Sequence, residues 1–295
     1  MARRHPILRA LVLFAALGFF LIVGLASYTY LASEGLATFS KNAVAVVTVQ
    51  GVIEDASDIV RSLDGLTDNE GVRAVVLRVD SPGGGVAPSQ EIYGAIERVR
   101  EHKPVVASLG SVAASGGYYI ASACDSIVAN PGTLTGSIGV IMETGNVTEL
   151  LKKLGVQGVV VKAGKFKDIG SPLREMTDEE RRFLEGLLGN VHEQFIAAVA
   201  KGRKLPEDQV RPLADGRIYS GQQALDLHLV DALGGLRDAV ELAATRAGIH
   251  GEPRWLEIEK HQPPWWWRRI TGLIEEGPVA LQGLEFLYTG PPAAR

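Results

Sequence analysis

The sequence predicts an α/β fold of stacked strand-strand-helix units, preceded by one apolar N-terminal helix. Three observations carry this. Short β-branched runs recur, first at Val44–Val52 (VAVVTVQGV) and again at Arg73–Val79 (RAVVLRV), with the composition of buried strands. The second run leads through a glycine-rich turn into a segment of helical periodicity, and the pattern is repeated with variations further on. Ahead of them all, Ala10–Ser33 (ALVLFAALGFFLIVGLASYTYLAS) carries no charge.

As a helix, that first stretch would rise roughly 35 Å, enough to cross the hydrocarbon core of a bilayer. Arg3, Arg4 and Arg9 precede it and Glu34 follows, a bias that puts residues 1–9 in the cytoplasm and everything after the span outside. A cleaved secretory signal is the competing reading, but its apolar region is usually only about 7–15 residues. Residues 10–33 are therefore expected to anchor the chain, 34–43 to form a linker, 44–248 to form the folded domain and 249–295 a C-terminal extension. Within the domain, Asp80-Ser81-Pro82-Gly83-Gly84-Gly85 disfavours regular structure and allows φ > 0. Ile92, Ala95, Ile96 and Val99 then recur at helical steps from Pro88 to His102, with Ser89 as expected N-cap. Pro104–Ser108 reads as a strand, Gly110–Gly117 as a second small-residue turn, and Tyr118–Cys124 as a helix. Ser126–Ala129, Ser137–Ile141 and Val156–Val161 read as further strands, and Asn146–Leu154 as a helix. Thr177-Asp178-Glu179-Glu180 has the form of a capping box opening a long helix to about Lys201. Gly221–Leu227 and Leu236–Ala247 complete the helices. Such units cannot bury both faces alone and must stack, which points to a spiral of units and not to a Rossmann sheet.

The formal net charge of −4 and the lack of a clustered basic face argue against a nucleic-acid partner. Cys124 is the one cysteine, so neither an intramolecular disulfide nor a thiolate metal cage can form, and no metal or cofactor is expected.

The segment Gly110–Gly117 (GSVAASGG) places Ser115 at a helix start among residues too small to shield it. The free N–H groups of such a terminus, and a Gly116 N–H unobstructed by a Cβ, suit a developing oxyanion. A second donor would be Gly83 or Gly84 if stacking brings the two glycine turns together; Gly83 is the one selected. A serine hydroxyl needs a base. None of the histidines (His5, His102, His192, His228, His250, His261) falls in a glycine turn, and Ala113 stands where the G-x-S-x-G elbow requires glycine, so a triad is disfavoured. Lysine is the remaining candidate, in Gly164-Lys165-Phe166-Lys167-Asp168-Ile169-Gly170-Ser171-Pro172. A lysine acting as base near neutral pH must lose about three units from about 10.4, which apolar burial can impose. Strand alternation puts Lys165 and Lys167 on one face and does not choose between them.

Taken together, Ser81–Gly85 (SPGGG), Ala113–Tyr119 (AASGGYY), Thr135–Val140 (TGSIGV) and Gly164–Pro172 (GKFKDIGSP) closely resemble the bacterial signal peptide peptidase A (protease IV) family in its short form. The resemblance runs from about Val44 to Gly248. It implies a ClpP/crotonase-like fold, a Ser-Lys dyad with Ser115 as nucleophile and Lys167 as base, Lys165 as a bystander, and Ser137 as the hydroxyl that orients the lysine amine. It also implies a homo-oligomeric ring, an octamer, in which Ser115 of one subunit meets Lys167 of its neighbour, with substrates that are apolar peptides such as cleaved signal peptides, handled outside the cytoplasm of a bacterium. Two alternatives share the fold: a crotonase-type acyl-CoA enzyme, against which an extracytoplasmic location argues, and a membrane scaffold without catalysis. Trp265-Trp266-Trp267 with Arg268 and Arg269 suits a membrane interface or a packed aromatic cluster equally.

Overall fold

The computed structural model describes residues 13–25, 42–258 and 285–287 of the 295. In chain order the elements are helix α1 (13–25), strand β1 (Ala43–Gln50), α2 (Ser57–Thr67), β2 (Val72–Ser81), β3 (Gly83–Gly85), α3 (Val86–Arg100), β4 (Val105–Ala114), α4 (Gly116–Ser122), β5 (Ser126–Ala129) and β6 (Leu134–Gly136). They continue with α5 (Thr148–Lys153), α6 (Asp178–Arg203), α7 (Glu207–Val210), β7 (Ile218–Ser220), α8 (Gly221–Asp226), β8 (Ala232–Leu233), α9 (Leu236–Arg246), β9 (Arg254–Ile258) and β10 (Glu285–Leu287).

Strands β9, β1, β2 and β4 lie side by side, all parallel. Their near-continuous apolar runs follow from burial on both faces. Side-chain alternation sorts each strand between two layers: Val44, Val46, Ala74, Val76, Val106 and Val128 pack beneath Ala239, Val240, Ala243 and Ala244 of α9. Their alternates, among them Val47, Leu77, Val79, Ala107, Leu109 and Ile127, face the larger core built with α2, α3, α4 and α6. Phe195 of α6 is fully buried there, its ring 5.0 Å from that of Tyr119.

Strand β4 positions the site. Its first half pairs with β5 and its second half with β6, so the sheet forks along one strand. Between the halves β4 bulges: Val79 of β2 faces Leu109 but Ser81 faces Ala113, so β4 advances four residues while β2 advances two. The Asp80 carboxylate fills the bulge by accepting the Val112 N–H at 3.0 Å. A bulge bends a strand and re-aims its end, and here it delivers Ala114 beside Gly136. The expected turn at Gly110–Gly117 is thus the bulged end of β4 as far as Ala114, one reversing residue, Ser115, and the start of α4 at Gly116.

Other expectations are corrected. Ser89 lies inside α3, not at its N-cap; Gly85 caps the helix and the Ser89 hydroxyl donates to the Gly85 carbonyl. The strand expected at Ser137–Ile141 lies earlier, at Leu134–Gly136, since Ser137 itself turns to φ 51°. Val156–Val161 forms no strand: among the described residues no backbone pairs with it, and Val159 and Val161 are 85% and 95% exposed. The C-terminal extension expected from 249 contributes β9 to the sheet and β10, which pairs antiparallel with the glycine strand β3.

Of the apolar stretch 10–33, residues 13–25 are helical with exposed side chains, and among the described residues no helix is long and apolar enough to cross a membrane. The rest of that stretch, most of the linker, Trp265–Trp267 and the tail beyond Leu287 lie outside the described residues.

Replacing Phe195 with Ala removes the largest apolar side chain joining α6 to α4. Stability is expected to fall by about 3–5 kcal/mol, read from urea denaturation midpoints at unchanged slope.

Candidate active site

A single residue makes the reversal from β4 into α4. Ser115 has φ 52° and ψ −119°, a conformation L side chains rarely adopt and one that costs on the order of 1–3 kcal/mol. Its backbone is held from both sides: its N–H donates to the Gly136 carbonyl at 2.8 Å, and its carbonyl accepts the Tyr119 N–H at 2.8 Å. A serine at this position ordinarily caps the helix with its hydroxyl. Ser115 does not: it is buried, and its hydroxyl has no hydrogen-bond partner among the described residues. The sharp strand-to-helix turn of a nucleophile elbow is present without the G-x-S-x-G sequence.

The two glycine turns do lie side by side. A Cβ on Gly117 would stand 2.8 Å from the Ser81 carbonyl oxygen, so only glycine lets α4 start this close to the end of β2. Gly116 is the first residue of α4, and its N–H has no carbonyl one turn back. Gly83 has φ 107°, and its N–H donates to the Ser81 hydroxyl at 3.1 Å, so receiving an oxyanion requires that hydroxyl to turn aside. Ser137 follows the carbonyl that binds Ser115; its own strained backbone is pinned by donation of its N–H to the Arg217 carbonyl at 2.8 Å. Ser115, Ser137, Gly116 and Gly83 are thereby gathered around the ends of three adjacent strands.

The lysines are placed elsewhere. Lys165 pairs with Glu179, Nζ to Oε1 at 2.6 Å, and lies 5.6 Å from the Phe166 ring centre. Lys167 was expected to be desolvated but is exposed, and its amine has no hydrogen bond or ion pair among the described residues, Ser115 and Ser137 included. The turn that bears it is firmly tied down. The Arg174 guanidinium grips Asp168, Nε to Oδ2 at 2.7 Å and Nη2 to Oδ1 at 2.9 Å, and reaches Glu180 with Nη1 to Oε2 at 2.8 Å. Those hydrogen bonds hold the Asp168 carboxyl well below the usual carboxylate range, Arg174 first and Lys162 second. Arg174, and then the Thr177 N–H, lower Glu180 to about 2. Both groups are depressed, so their contribution is complete above the ordinary carboxylate range, declines as pH falls from that range, and is gone once pH has passed through their folded values, about 2 for Glu180.

Two cavities flank these elements. One of about 510 Å³ is lined by Ser137, Val140, Leu188, His192 and Asp215. On its wall the His192 Nε2 is buried without a partner, a placement beside Ser137 that no local sequence feature announces. A larger one, about 960 Å³, lies between residues 142–146, Arg174 and α6 and contains none of the expected site residues.

Residues 97–250 match the description of peptidase family S49, and residues 36–131 match Clp protease. The chain belongs to peptidase family S49. It is 43% identical to a protease-named protein of Synechocystis sp. over 80% of this chain and 85% of that protein. It is 36% identical to an Enterococcus faecium protein named as signal peptide peptidase SppA, over 68% of this chain and 63% of that protein. It is 35% identical to Protease 4 of Haemophilus influenzae over 68% of this chain but 34% of that longer protein. Membership of S49, in its signal peptide peptidase A (protease IV) branch, makes the chain a serine protease with an α/β, Clp-protease-like domain, and sets aside the acyl-CoA reading. Arg174 and His192 emerge only from the coordinates.

Because glycine adopts the Ser115 conformation without strain and alanine does not, Ser115→Gly is expected to be more stable than Ser115→Ala by about 1 kcal/mol, despite glycine's looser unfolded state. Denaturant midpoints of the two variants test this, and a less stable glycine variant would show that the backbone is not strained.

Proposed function

We propose that this chain is a membrane-anchored Ser-Lys endopeptidase that cuts apolar peptides, such as spent signal peptides, outside the bacterial cytoplasm. The observation that carries the reading is Ser115: a buried serine, forced into a strained turn, whose hydroxyl is spared from capping and lies beside two glycine turns and a second strained serine. Residues 10–33 are the proposed single-pass anchor, with residues 1–9 inside and the peptidase domain outside.

In the proposed reaction a neutral Lys167 amine takes the Ser115 proton as Oγ bonds to the peptide carbonyl carbon, and the Gly116 and Gly83 N–H groups receive the oxyanion. Collapse breaks the C–N bond, with the Lys167 ammonium returning the proton to the leaving amine. Water then attacks the acyl ester, Lys167 again taking the proton, and Ser115 is released. Ser137 orients the amine. A substrate is proposed to bind as an extended strand along Gly83–Gly85. Support comes from β10 of the same chain, which already pairs antiparallel with that edge and which a substrate would displace.

The base is proposed to come from a second copy in a homo-oligomeric ring, as a heterologous interface allows. Two facts favour this. The Lys167 amine has no partner among the described residues of its own chain, and the arm around it exposes Leu150, Leu154, Val159, Val161 and Leu173, an apolar surface that a neighbour would cover.

Ser115→Ala and Lys167→Ala are each expected to abolish hydrolysis of apolar peptides while the protein still assembles, and Lys165→Ala is expected to be mild. If nucleophile and base meet across subunits, co-assembling the two dead variants one to one restores about a quarter of the native activity, since half the subunits offer a serine and half of their neighbours a lysine. Full activity in Lys167→Ala would refute the dyad. Silence of the mixture would refute only the sharing between subunits.

A further inference from the structure

Lys167 sits between two residues that are both tied to α6. On one side the Phe166 ring stacks on Phe183, centroids 5.1 Å apart and planes within 16°. On the other, Asp168 is held at both carboxylate oxygens by Arg174 and Lys162, and its main-chain carbonyl accepts Arg174 Nη2 at 3.1 Å and the Ser171 N–H at 3.1 Å. Arg174 passes the constraint on. Its other donors reach both Glu180 oxygens and the Glu175 carbonyl. Glu180 is only 4% exposed and forms the capping box of α6, with its Oε2 accepting the Thr177 N–H at 2.9 Å while the Thr177 hydroxyl accepts the Glu180 N–H. Further along, α6 is embedded in the core through Val191, Phe195, Ile196 and Val199.

This arrangement is unusual for an exposed arm. The preceding helix α5 buries no residue, and residues 152–165 are all exposed. Fixing a loop so tightly costs conformational entropy, and ion pairs as sheltered as those of Arg174 with Asp168 and Glu180 offset their desolvation only where the geometry is good. A planar guanidinium that saturates two carboxylates and two carbonyls is, however, a good device for fixing geometry. Among the described residues, the Lys167 amine of this turn has no hydrogen bond or ion pair.

Resting on the dyad proposed above, we infer that Arg174 is a positioning residue for the base: through Asp168 on one side and Glu180 on the other, it registers the Lys167 turn against α6, so that the amine is presented in one place to the Ser115 hydroxyl it serves. The depressed carboxylates agree with a latch that stays closed throughout the neutral range in which a peptidase works.

The test uses the full-length chain in mixed assemblies. Ser115→Ala subunits supply only the lysine and Lys167→Ala subunits supply only the serine, so Arg174→Gln can be placed on either donor. On the lysine donor it is expected to lower kcat by about 100-fold with KM unchanged, the scale of an ångström-sized misplacement. On the serine donor it is expected to change kcat less than twofold. Equal losses from both placements, or no loss from either, would overturn the inference, because a purely structural arginine serves both donors alike. Asp168→Asn, which frees the turn but leaves Arg174 to satisfy Glu180, should reproduce the one-sided loss if Arg174→Gln does not assemble, and Arg174→Lys should restore part of kcat. Should the parent mixture be silent, the sharing between subunits has failed and the same variants are read in the single native assembly. There, a kcat loss at constant KM with partial rescue by Arg174→Lys sustains the positioning role, and parallel loss of kcat and folded protein overturns it.

Discussion

The site depends on how the Ser115 backbone is held. Left to itself, a serine between a strand and a helix relaxes into the extended conformation and caps the helix with its own hydroxyl. Here the Gly136 carbonyl takes the Ser115 N–H, the Tyr119 N–H takes the Ser115 carbonyl, and α4 approaches so closely that Gly117 touches the end of β2. These contacts exist because β4 bulges around the Asp80 carboxylate and thereby ends beside β6. The cost of the strained residue is met by the two apolar layers on either face of the sheet, where β-branched side chains of β1, β2, β4 and β5 are fully buried.

Much of this was legible in residues whose signal is local. Val44–Val52 and Arg73–Val79 read as strands because burial on both faces imposes an apolar run, and Thr177 with Glu180 read as a capping box because the reciprocal bonds need only those two side chains. The failures share a cause. Val156–Val161 has the composition of a strand, but a strand exists only where a second backbone pairs with it, and none does among the described residues. Gly110–Gly117 has the composition of a turn, but pairing with β2 and β6 keeps Gly110–Ala114 extended. Pairing is a long-range property, and β-propensity reports only how well a residue suits it.

The site divides in the same way. Ser115, Gly83 and Gly116 were singled out by small-residue turns and Ser137 by family resemblance, and the four converge because their strands are neighbours. Nothing in the spacing told Lys165 from Lys167; that distinction came from family resemblance. The coordinates add a physical difference, since Lys165 is spent on Glu179 and the Phe166 ring while Lys167 is not. Arg174 escaped notice because its two partners lie on opposite sides of it in the sequence, and an arginine among charged neighbours ordinarily reads as solvated surface.

The proposed nucleophile and the proposed base are therefore built on opposite principles. Ser115 is rigid because it is buried, and it pays in backbone strain. Lys167 is exposed, so its turn must be stiffened by stacking and by a guanidinium fork. An amine serves as a base only in its neutral form, and transfer into a dry cleft favours that form. On the reading in which that cleft lies at a neighbouring Ser115, burial of the amine and completion of the site are one event, and an unassembled subunit carries a nucleophile with nothing to activate it. Pre-ordering of the turn then has a clear purpose: docking has only to desolvate the amine, with its backbone already fixed.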